Sequence, residues 1–240
     1  MSRWYVAAAI LPSVTSALHP GRLAGRLLDA AFPAACAGCG REGASLCDAC
    51  AGALAARRRA PAGVQLGMPS DVPLPLVQLE WCAPFGAVVR TALHRLKYAG
   101  ERRLALPLGA AAAARWREAA IGGDVLVHVP VHARRRAARG YDQAELIARA
   151  AAAELRLPAV PALRRERATV PQFELGRERR AENVAAAFVL DDRQRAAVAG
   201  RWVVLVDDVV TTGATLVACA EALLEGGAAA VSALAVARES

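Results

Sequence analysis

Two adjacent carboxylates, Asp207 and Asp208, are the residues whose types and position most clearly indicate chemistry. They follow the apolar residues 202–206, which are rich in β-branched side chains, as in a short buried strand. A small, hydroxyl-rich turn comes next, and residues 216–226 have the pattern of a helix that is closed by two glycines. The acids are therefore expected where a strand ends, with the turn at the N-terminus of a helix.

This arrangement suits a ligand that carries both hydroxyl and phosphate groups. Open parallel sheets bind ligands at the carboxyl ends of their strands, and a helix N-terminus offers unpaired N–H groups to a phosphate. Two acids beside such a phosphate site indicate that the ligand is bound together with Mg²⁺. The alternative is that the acids only end a strand and cap a helix. The residues of the turn are Thr211, Thr212, Gly213, Ala214 and Thr215.

Four clustered cysteines form a second set of chemical groups, arranged as two C-x2-C pairs that are separated by seven residues. Each pair can hold one side of a metal ion, and two pairs complete a tetrahedral thiolate site for a structural zinc. Because so small a module has little core, metal binding should supply much of its stability. Two disulfides in a secreted protein are the alternative. The four residues are Cys36, Cys39, Cys47 and Cys50, whereas Cys82 and Cys219 are expected to be ordinary buried thiols.

Three basic stretches indicate further contacts to anions. The arginines of segment 130–143, which follows a predicted strand, could hold a second phosphate or form a solvated basic loop. His132 in this segment is either a general base or a structural residue. The arginines at 57–59 are either a solvated helix end or a nucleic-acid contact. Segment 164–183 is long, polar and rich in arginine, which is typical of loops that close over active sites.

Composition and charge limit the class of protein. The 240 residues, with 55% apolar and 22% charged side chains and a net charge of +8, describe a soluble globular protein that prefers anionic partners. A membrane span needs about 18 uninterrupted apolar residues, and no such run is present. A cytoplasmic location is expected, because residues 4–11 are short for a signal peptide and are equally well explained as an extension.

Strands that alternate with helices predict an α/β fold with a mostly parallel sheet that is flanked by helices. The chain divides into four expected parts. Residues 1–22 are an N-terminal extension, which can be disordered, and residues 23–59 are a helix with the four-cysteine module. Residues 60–75, rich in Pro and Gly, are a linker to the sheet domain at 76–240.

The stretch 203–216, VVLVDDVVTTGATL, resembles the 5-phosphoribosyl-1-pyrophosphate (PRPP) signature of type I phosphoribosyltransferases. It is preceded in order by the four cysteines, a PVH-x3-R-x2-RG-Y-x-Q block and an R-x-T-x2-Q…ERR-x2-NV block. With these blocks, the chain from about residue 23 to residue 238 resembles the ComF/GntX family. That family joins a phosphoribosyltransferase-like domain to an N-terminal four-cysteine zinc finger. Its members are linked to natural competence, the import and handling of single-stranded DNA.

The resemblance implies a role for residues in each block. Asp207 and Asp208 would bind the ribose hydroxyls as the catalytic acids, and the turn from Thr211 to Thr215 would bind the 5′-phosphate of PRPP. The other residues implied to bind PRPP are His132, Arg136, Arg139 and Gly140 of a pyrophosphate loop, and Lys97 at the end of the first helix. The implied lid residues are Thr169, Gln172, Arg180 and Asn183. The family commonly has Asn in place of Asp142, so this carboxylate is not expected to contact the pyrophosphate.

Three functions are compatible with the sequence. The first is a DNA-uptake protein with a site for PRPP and Mg²⁺, whose partners would be single-stranded DNA and proteins of the competence machinery. The second is a metabolic phosphoribosyltransferase that acts on an acceptor which no residue pattern identifies. The third is a binding module for DNA or a partner protein that has kept the fold without the chemistry. The family resemblance favours the first, since a fold alone does not determine function.

Overall fold

The computed structural model describes residues 34–63, 73–119, 122–166 and 187–239. Residues Ala35–Ser240 form one compact unit. Its strands are β1 (Leu79–Pro84), β2 (Val125–His128), β3 (Ala159–Val160), β4 (Leu163–Arg165), β5 (Phe188–Leu190), β6 (Trp202–Val210) and β7 (Ala230–Arg238). Five of these strands make a parallel sheet in the order β1-β7-β6-β2-β3, and β4 pairs with β5 in a separate antiparallel ribbon.

Among the described residues, one short helix precedes β1, and the other helices lie between the strands in sequence. They are α1 (Asp48–Ala51), α2 (Ala87–Tyr98), α3 (Ala105–Glu118), α4 (Ala133–Arg139), α5 (Gln143–Leu155), α6 (Arg195–Val198) and α7 (Ala214–Glu225). Short 3-10 turns occupy Gly52–Ala55, Arg102–Leu104 and Asp192–Gln194.

Both faces of the sheet are covered, which is the usual state of an all-parallel sheet. Alternate residues of β6 point to opposite faces. Val204 and Val206 pack in a core with α2, α3 and α5, whereas Val203 and Leu205 pack in a second core with α7 and the β4–β5 ribbon. The predicted α/β fold with a mostly parallel sheet is therefore confirmed.

The central strand is longer than the sequence predicts. It was expected to end at Val206, but β6 continues through both acids to Val210, which pairs with Arg238 of β7. On its other side, β6 pairs with β2 only as far as Val206, opposite His128. The prediction of the strand end was wrong because β7 supplies hydrogen-bond partners that β2 does not. Residues 207–210 consequently project past the neighbouring strand with one side open.

The four-cysteine segment packs directly on the helical side of the sheet. Cys36, Leu46 and Leu54 are buried in the same core as Leu93 and Leu96 of α2. This contact gives the small module the apolar burial that it lacks by itself.

A buried ionic cluster holds the segment after the cysteines against the sheet. The carboxylate of Glu80 on β1, which is 0% exposed, accepts hydrogen bonds from the guanidinium of Arg115 on α3 at 2.6 and 2.8 Å. It also accepts a bond from the backbone N–H of Gly63 at 2.6 Å. Arg115 in turn donates to the backbone carbonyls of Arg57 at 2.8 Å and Ala60 at 2.7 Å. These charge-assisted bonds satisfy the polar groups that the packing removes from water.

The arginines at 57–59 divide between core and surface. Arg57 is 2% exposed, and its guanidinium lies 3.5 Å from the centroid of the Trp81 ring and 3.8 Å from a Glu80 oxygen. Burial lowers the pKa of Arg57 below its ordinary value. A solvated or DNA-binding role for this arginine was therefore a wrong prediction, because a buried ring and carboxylate hold it inside. Arg58 and Arg59 are exposed, as expected.

Parts of the sequence-based prediction lie outside the described residues. These are the helix expected near residues 23–32, most of the linker and all four lid residues, Thr169, Gln172, Arg180 and Asn183. The division of the chain into four parts stays a prediction. Within the described ranges, no helix combines the length and the apolar character that crossing a membrane requires.

Candidate functional site

The two acids lie at the open end of β6 in different environments. Asp207 is half-buried, and its Oδ1 accepts a hydrogen bond from the backbone N–H of Asp208 at 2.8 Å. Asp208 is 5% exposed, and its Oδ1 accepts from the backbone N–H of Val209 at 2.9 Å. Burial, and then the neighbouring charge of Asp208, raise the pKa of Asp207 well above its ordinary value. The pair therefore carries a negative charge that the protein itself only partly compensates.

Lys97 supplies that partial compensation. It lies in the last turn of α2, and its Nζ contacts Oδ2 of Asp208. Its positive charge also opposes the rise in the pKa of Asp207. Lys97 is the only lysine in the sequence, since the other basic residues are all arginine. A single compact ammonium group is thus placed where a planar guanidinium would make a different contact.

The turn after the acids is shaped by Gly213. This residue has φ of 83° and immediately precedes α7, and a Cβ atom there would lie 3.2 Å from the side chain of Pro73. A larger residue would therefore be strained and crowded at this position. Thr212 Oγ1 accepts a hydrogen bond from the N–H of Ala214 at 3.4 Å. Thr211, Thr212 and Ala214 are exposed, and Thr215 faces the same cavity as the acids.

Two adjoining cavities open beside the acids. The smaller, about 180 Å³, is lined by both carboxylates together with a group of basic and polar side chains, among them Lys97, Arg135, Arg139, Gln143 and Arg165. The larger, about 550 Å³, lies further along α2 and α4. Both are lined by Lys97, Tyr98, Arg135 and Arg139. A strongly polar, cation-rich site beside two acids suits a phosphorylated ligand that also carries hydroxyls.

The basic block is a short helix rather than the turn that the sequence predicts. His132 is the N-cap of α4, and its Nδ1 accepts a hydrogen bond from the N–H of Arg134 at 3.3 Å. Gly140 ends the helix with φ of 79°, and its carbonyl accepts a bond from Arg102 at 3.4 Å. The prediction failed because three arginines in a row resemble a solvated loop, although arginine is a good helix former. His132 and Gly140 therefore fix the two ends of α4.

The arginines of α4 point in different directions. Arg139 donates a hydrogen bond to Oε1 of Gln143 and lines both cavities, as does Arg135. Arg136 forms an ion pair with Glu145 at 3.1 Å and is not among the residues that line either cavity. The structure thus brings Arg139 to the acids and adds Arg135.

Asp142 has a structural position. It is 1% exposed and caps α5, since its Oδ1 accepts from the N–H of Ala144 at 3.0 Å and its Oδ2 from that of Val131 at 2.8 Å. An asparagine at this position would have one acceptor oxygen and no negative charge, so it could accept only some of these hydrogen bonds. The carboxylate is thereby occupied by backbone donors.

The four cysteine sulfurs form one cluster. All four lie within 4.8 Å of one another, and Cys47 Sγ lies 3.6 Å from Cys36 Sγ and 3.7 Å from Cys39 Sγ. A tetrahedral zinc site with Zn–S bonds of about 2.3 Å would place its sulfurs about 3.8 Å apart. The cluster could therefore hold a metal ion such as zinc. The alternative of two disulfides is not what the structure contains, because all four of these cysteines are free.

The surroundings of the cluster favour a charged sulfur. Backbone N–H groups, chiefly that of Cys47, lower the pKa of Cys36 to about 6. Hydrogen bonding to Cys47, followed by burial, raises the pKa of Cys50 to about 12. Thiols so close together cannot all ionise without a cation, and metal binding would release the remaining protons. Cys82 and Cys219 are buried elsewhere, as predicted.

Comparison with known proteins adds to this geometry. The Phosphoribosyl transferase domain family matches residues 142–240, which include both acids and the turn. DNA utilization protein YhgH of Escherichia coli O157:H7 is 31% identical over 202 residues, which cover 82% of this chain and 85% of that protein. The protein of the same name from Salmonella typhimurium LT2 is 33% identical over the same shares.

The chain belongs to the ComF/GntX family. With YhgH of Escherichia coli K12 the identity is 40% over 109 residues, a match that spans 46% of that protein. Two solved structures are also similar to this ComF/GntX chain. The allosteric regulatory enzyme of purine biosynthesis is 22% identical with a TM-score of 0.37, over 55% of this chain and 26% of the other. Glutamine PRPP amidotransferase from B. subtilis is 26% identical with a TM-score of 0.36, over 52% and 24%.

Several residues of this ComF/GntX site were not singled out in the sequence. Arg135 is hidden in a run of three arginines, and nothing in the spacing shows which of them faces the acids. Arg165 of β4 reaches the smaller cavity only because the β4–β5 ribbon folds against it. Burial, and then the charge of Arg135, lower the pKa of Arg165. Tyr98 follows Lys97 directly, and its exposed aromatic ring is the one signal that could have been noticed.

Proposed function

We propose that this protein binds PRPP with Mg²⁺ at the open end of β6, and that it acts through this site in natural competence, in the import and handling of single-stranded DNA. The observation that carries the proposal is the pair Asp207–Asp208, which lines a cavity of about 180 Å³ together with Lys97 and three arginines. Hydroxyl donors of a sugar and the oxygens of a phosphate would each find a complementary group there.

The roles follow from the positions of the side chains. Asp207 and Asp208 would accept hydrogen bonds from the ribose hydroxyls. The hydroxyls and N–H groups of Thr211–Thr215, at the start of α7, would hold the 5′-phosphate. Lys97, Arg135 and Arg139 would surround the pyrophosphate, while His132, Arg136 and Gly140 hold the shape of α4 beside it. When bound, Mg²⁺ would neutralise part of the pyrophosphate charge, and the incompletely compensated Asp207 is a suitable oxygen ligand near it.

If PRPP is turned over, the bond between the anomeric carbon and the pyrophosphate breaks while positive charge develops on the ribose. The two aspartates would offset that charge, and the arginines would stabilise the departing pyrophosphate. Closure of the predicted lid, with Thr169, Gln172, Arg180 and Asn183, would exclude water from the reacting sugar. The described residues include no element that identifies an acceptor base. We therefore propose transferase chemistry for the site without assigning an acceptor.

Zinc is the proposed occupant of the four-cysteine cluster, in a structural role. Cys36, Cys39, Cys47 and Cys50 would fill a tetrahedral shell and leave no open position for chemistry. The metal would hold the module in the form that packs on α2.

A role with DNA is supported by the charge and by the relatives. The net charge of +8 favours an anionic partner, and the relatives over four fifths of this chain are named DNA utilization proteins. The rival functions are a metabolic phosphoribosyltransferase, which would release pyrophosphate only with a particular base, and a non-catalytic module. In the non-catalytic case Asp208→Asn would leave transformation intact.

Calorimetric titration of the zinc-loaded full-length protein with PRPP and Mg²⁺ tests the proposal. We expect binding by the wild type and none by the Asp207→Asn/Asp208→Asn double variant, because each amide replaces one acceptor oxygen with a donating NH₂ group and removes the negative charge. Asp192→Asn is the matched control, since Asp192 is exposed in a 3-10 turn, where it pairs with the exposed Arg195. Absence of binding in a folded wild type would overturn the PRPP site and favour the binding module.

A further inference from the structure

We propose that the larger cavity is the site where one nucleotide of a single DNA strand rests, with its base stacked on Tyr98 and its phosphate held by Arg135 and Arg139. The inference rests on the proposed function for the neighbouring sugar-phosphate pocket. It goes beyond that function because it locates the strand on the molecule and names the residue on which its base would stack.

Tyr98 is unusually exposed to solvent for an aromatic residue. It ends α2, and 69% of its surface is exposed, although large aromatic side chains normally lose most of their surface on folding. The ring is nevertheless held in place. The His94 ring lies 4.8 Å away with a tilt of 49°, and the Arg139 guanidinium lies 5.4 Å from the ring centroid. An aromatic ring that is both fixed and exposed is a ready surface for stacking.

The Arg139 contact leaves room on the ring. In the tight pair of the core, Arg57 lies only 3.5 Å from the centroid of Trp81 and the aromatic surface is covered. At 5.4 Å, Arg139 is close enough to contribute a cation–π attraction but does not seal the face of Tyr98. With 69% of its surface exposed, Tyr98 has room for a base next to the guanidinium that lies over part of the ring, and single-strand binding sites combine stacking with arginine contacts in this way.

The cavity has the size and charge for more than a base. Its volume of about 550 Å³ falls within the range of roughly 300–1,000 Å³ that small-molecule sites occupy. Its other lining residues include the cations Lys97, Arg135 and Arg139. A free base is neutral and offers these cations no partner of its own, whereas a strand brings with each base a phosphate that they can hold when no pyrophosphate is bound. The chemistry thus favours a nucleotide unit of a strand over a free base.

The position relative to the acids supports the same assignment. Lys97 is the neighbour of Tyr98 in sequence, and its Nζ contacts Asp208, so the stacking ring lies one residue from the sugar pocket. The two cavities share Lys97, Tyr98, Arg135 and Arg139. A base on Tyr98 would consequently lie beside the proposed ribose site.

The test compares two labelled strands of equal length and charge by fluorescence anisotropy. One is an oligothymidylate, and the other carries abasic residues at every position. Stacking on one aromatic side chain typically contributes about 1–3 kcal/mol per base, so the full-length wild type should bind the thymidylate strand roughly tenfold more tightly. Tyr98→Ala should remove this preference without weakening the abasic strand, and Tyr98→Phe should keep it. A wild type without preference, or Tyr98→Ala with the full preference, would overturn the proposal.

Charge variants test the phosphate contact. Arg135→Gln should weaken binding of both strands by the same factor and lower the salt dependence of binding. Arg134→Gln is the matched control, because Arg134 is exposed on the same helix but does not line the cavity. Equal losses in the two variants would show a diffuse basic surface and contradict a site.

Two further titrations separate the possible failures. Thymine at concentrations up to millimolar should not displace the strand, and displacement that depends on Tyr98 would assign the site to a free base instead. Calorimetry of the wild type with PRPP and Mg²⁺, run beside the strand titrations, reports on the sugar-phosphate pocket separately. If PRPP binds but the base preference is missing, only this inference fails. If the preference is present but PRPP does not bind, only the proposed function fails.

Discussion

Two sets of charged side chains lie on the same sheet, one around Glu80 and one around Asp207 and Asp208, and the acids in them have different numbers of hydrogen-bond and ion-pair partners. Glu80 on β1 is surrounded by donors: both guanidinium nitrogens of Arg115 that face it, the side chain of Gln78 and the N–H of Gly63. In the pair on β6, Lys97 contacts Asp208, and the pKa of Asp207 nevertheless stays raised. The first set is saturated and closed to solvent, whereas the second opens into a cavity.

The difference distinguishes buried charges that stabilise the fold from charges that are available to bind a ligand. A buried charge with all its partners inside the protein fixes the segments that supply those partners. A buried charge with too few partners raises its own pKa and is available to a ligand that completes the set. The incomplete pairing of charges at β6 supports the proposed ligand site, whereas the complete pairing of Glu80 at β1 stabilises the fold.

The largest expected effect comes from breaking the closed set. Glu80→Gln leaves Arg115 buried without its counter-ion, and removal of one member of a buried pair typically costs about 3–5 kcal/mol. Urea denaturation of the full-length protein should therefore show a large loss in the free energy of unfolding. Glu118→Gln, which removes a partly exposed partner of Arg58 at 2.6 Å, is the matched control and should change stability little. Similar losses in the two variants would contradict the view that the β1 cluster holds the cysteine module.

A smaller effect of opposite sign is expected at the open set. Asp207→Asn removes a carboxylate that burial and Asp208 destabilise at neutral pH, and should raise stability by about 1 kcal/mol while it impairs PRPP binding. The wild-type carboxyl becomes protonated as the pH falls through its raised pKa, so the gain should shrink toward acidic pH. Thermal unfolding of both proteins between neutral pH and about pH 4 measures this. A variant that is less stable at every pH would show that Asp207 has a structural role.

The smallest effect concerns Lys97, which contacts Asp208. Lys97→Met should raise the pKa of Asp207 further, because Lys97 now opposes that rise. Carboxyl-carbon NMR titration follows the change, and Lys97→Arg is the control, since it keeps the charge and should leave the pKa of Asp207 nearly unchanged. An unchanged titration in Lys97→Met would mean that Lys97 and Asp207 are not electrostatically coupled.

Much of the architecture could be predicted because the relevant signals are local. Apolar β-branched runs such as 202–206 and the spacing of the four cysteines gave the parallel sheet and the sulfur cluster. The continuation of β6 to Val210 was missed, since two acids interrupt the apolar pattern and only pairing with β7 explains them.

The site was predictable where its residues lie in one segment. Asp207 and Asp208 with their turn form such a segment. The cationic side of the cavity does not, because Lys97, Arg135 and Arg165 come from three separate elements. Arg57 shows the reverse case, in which three neighbouring arginines have one sequence character and two environments. Such differences depend on tertiary packing, which residue type alone does not encode.

The placement of β1 has a consequence for biosynthesis. In the sheet, β1 pairs with β7 alone, and its register joins Leu79 to Ala233. A ribosome therefore releases the cysteine module and β1 long before it has made the strand that completes them. Until then, an apolar strand edge is exposed to aggregation, and closure waits for a contact between distant parts of the chain, which is intrinsically slow. The same late strand also pairs with Val210 beside the phosphate turn. The sheet on which the cysteine module packs and the ligand pocket are therefore completed together, near the end of translation.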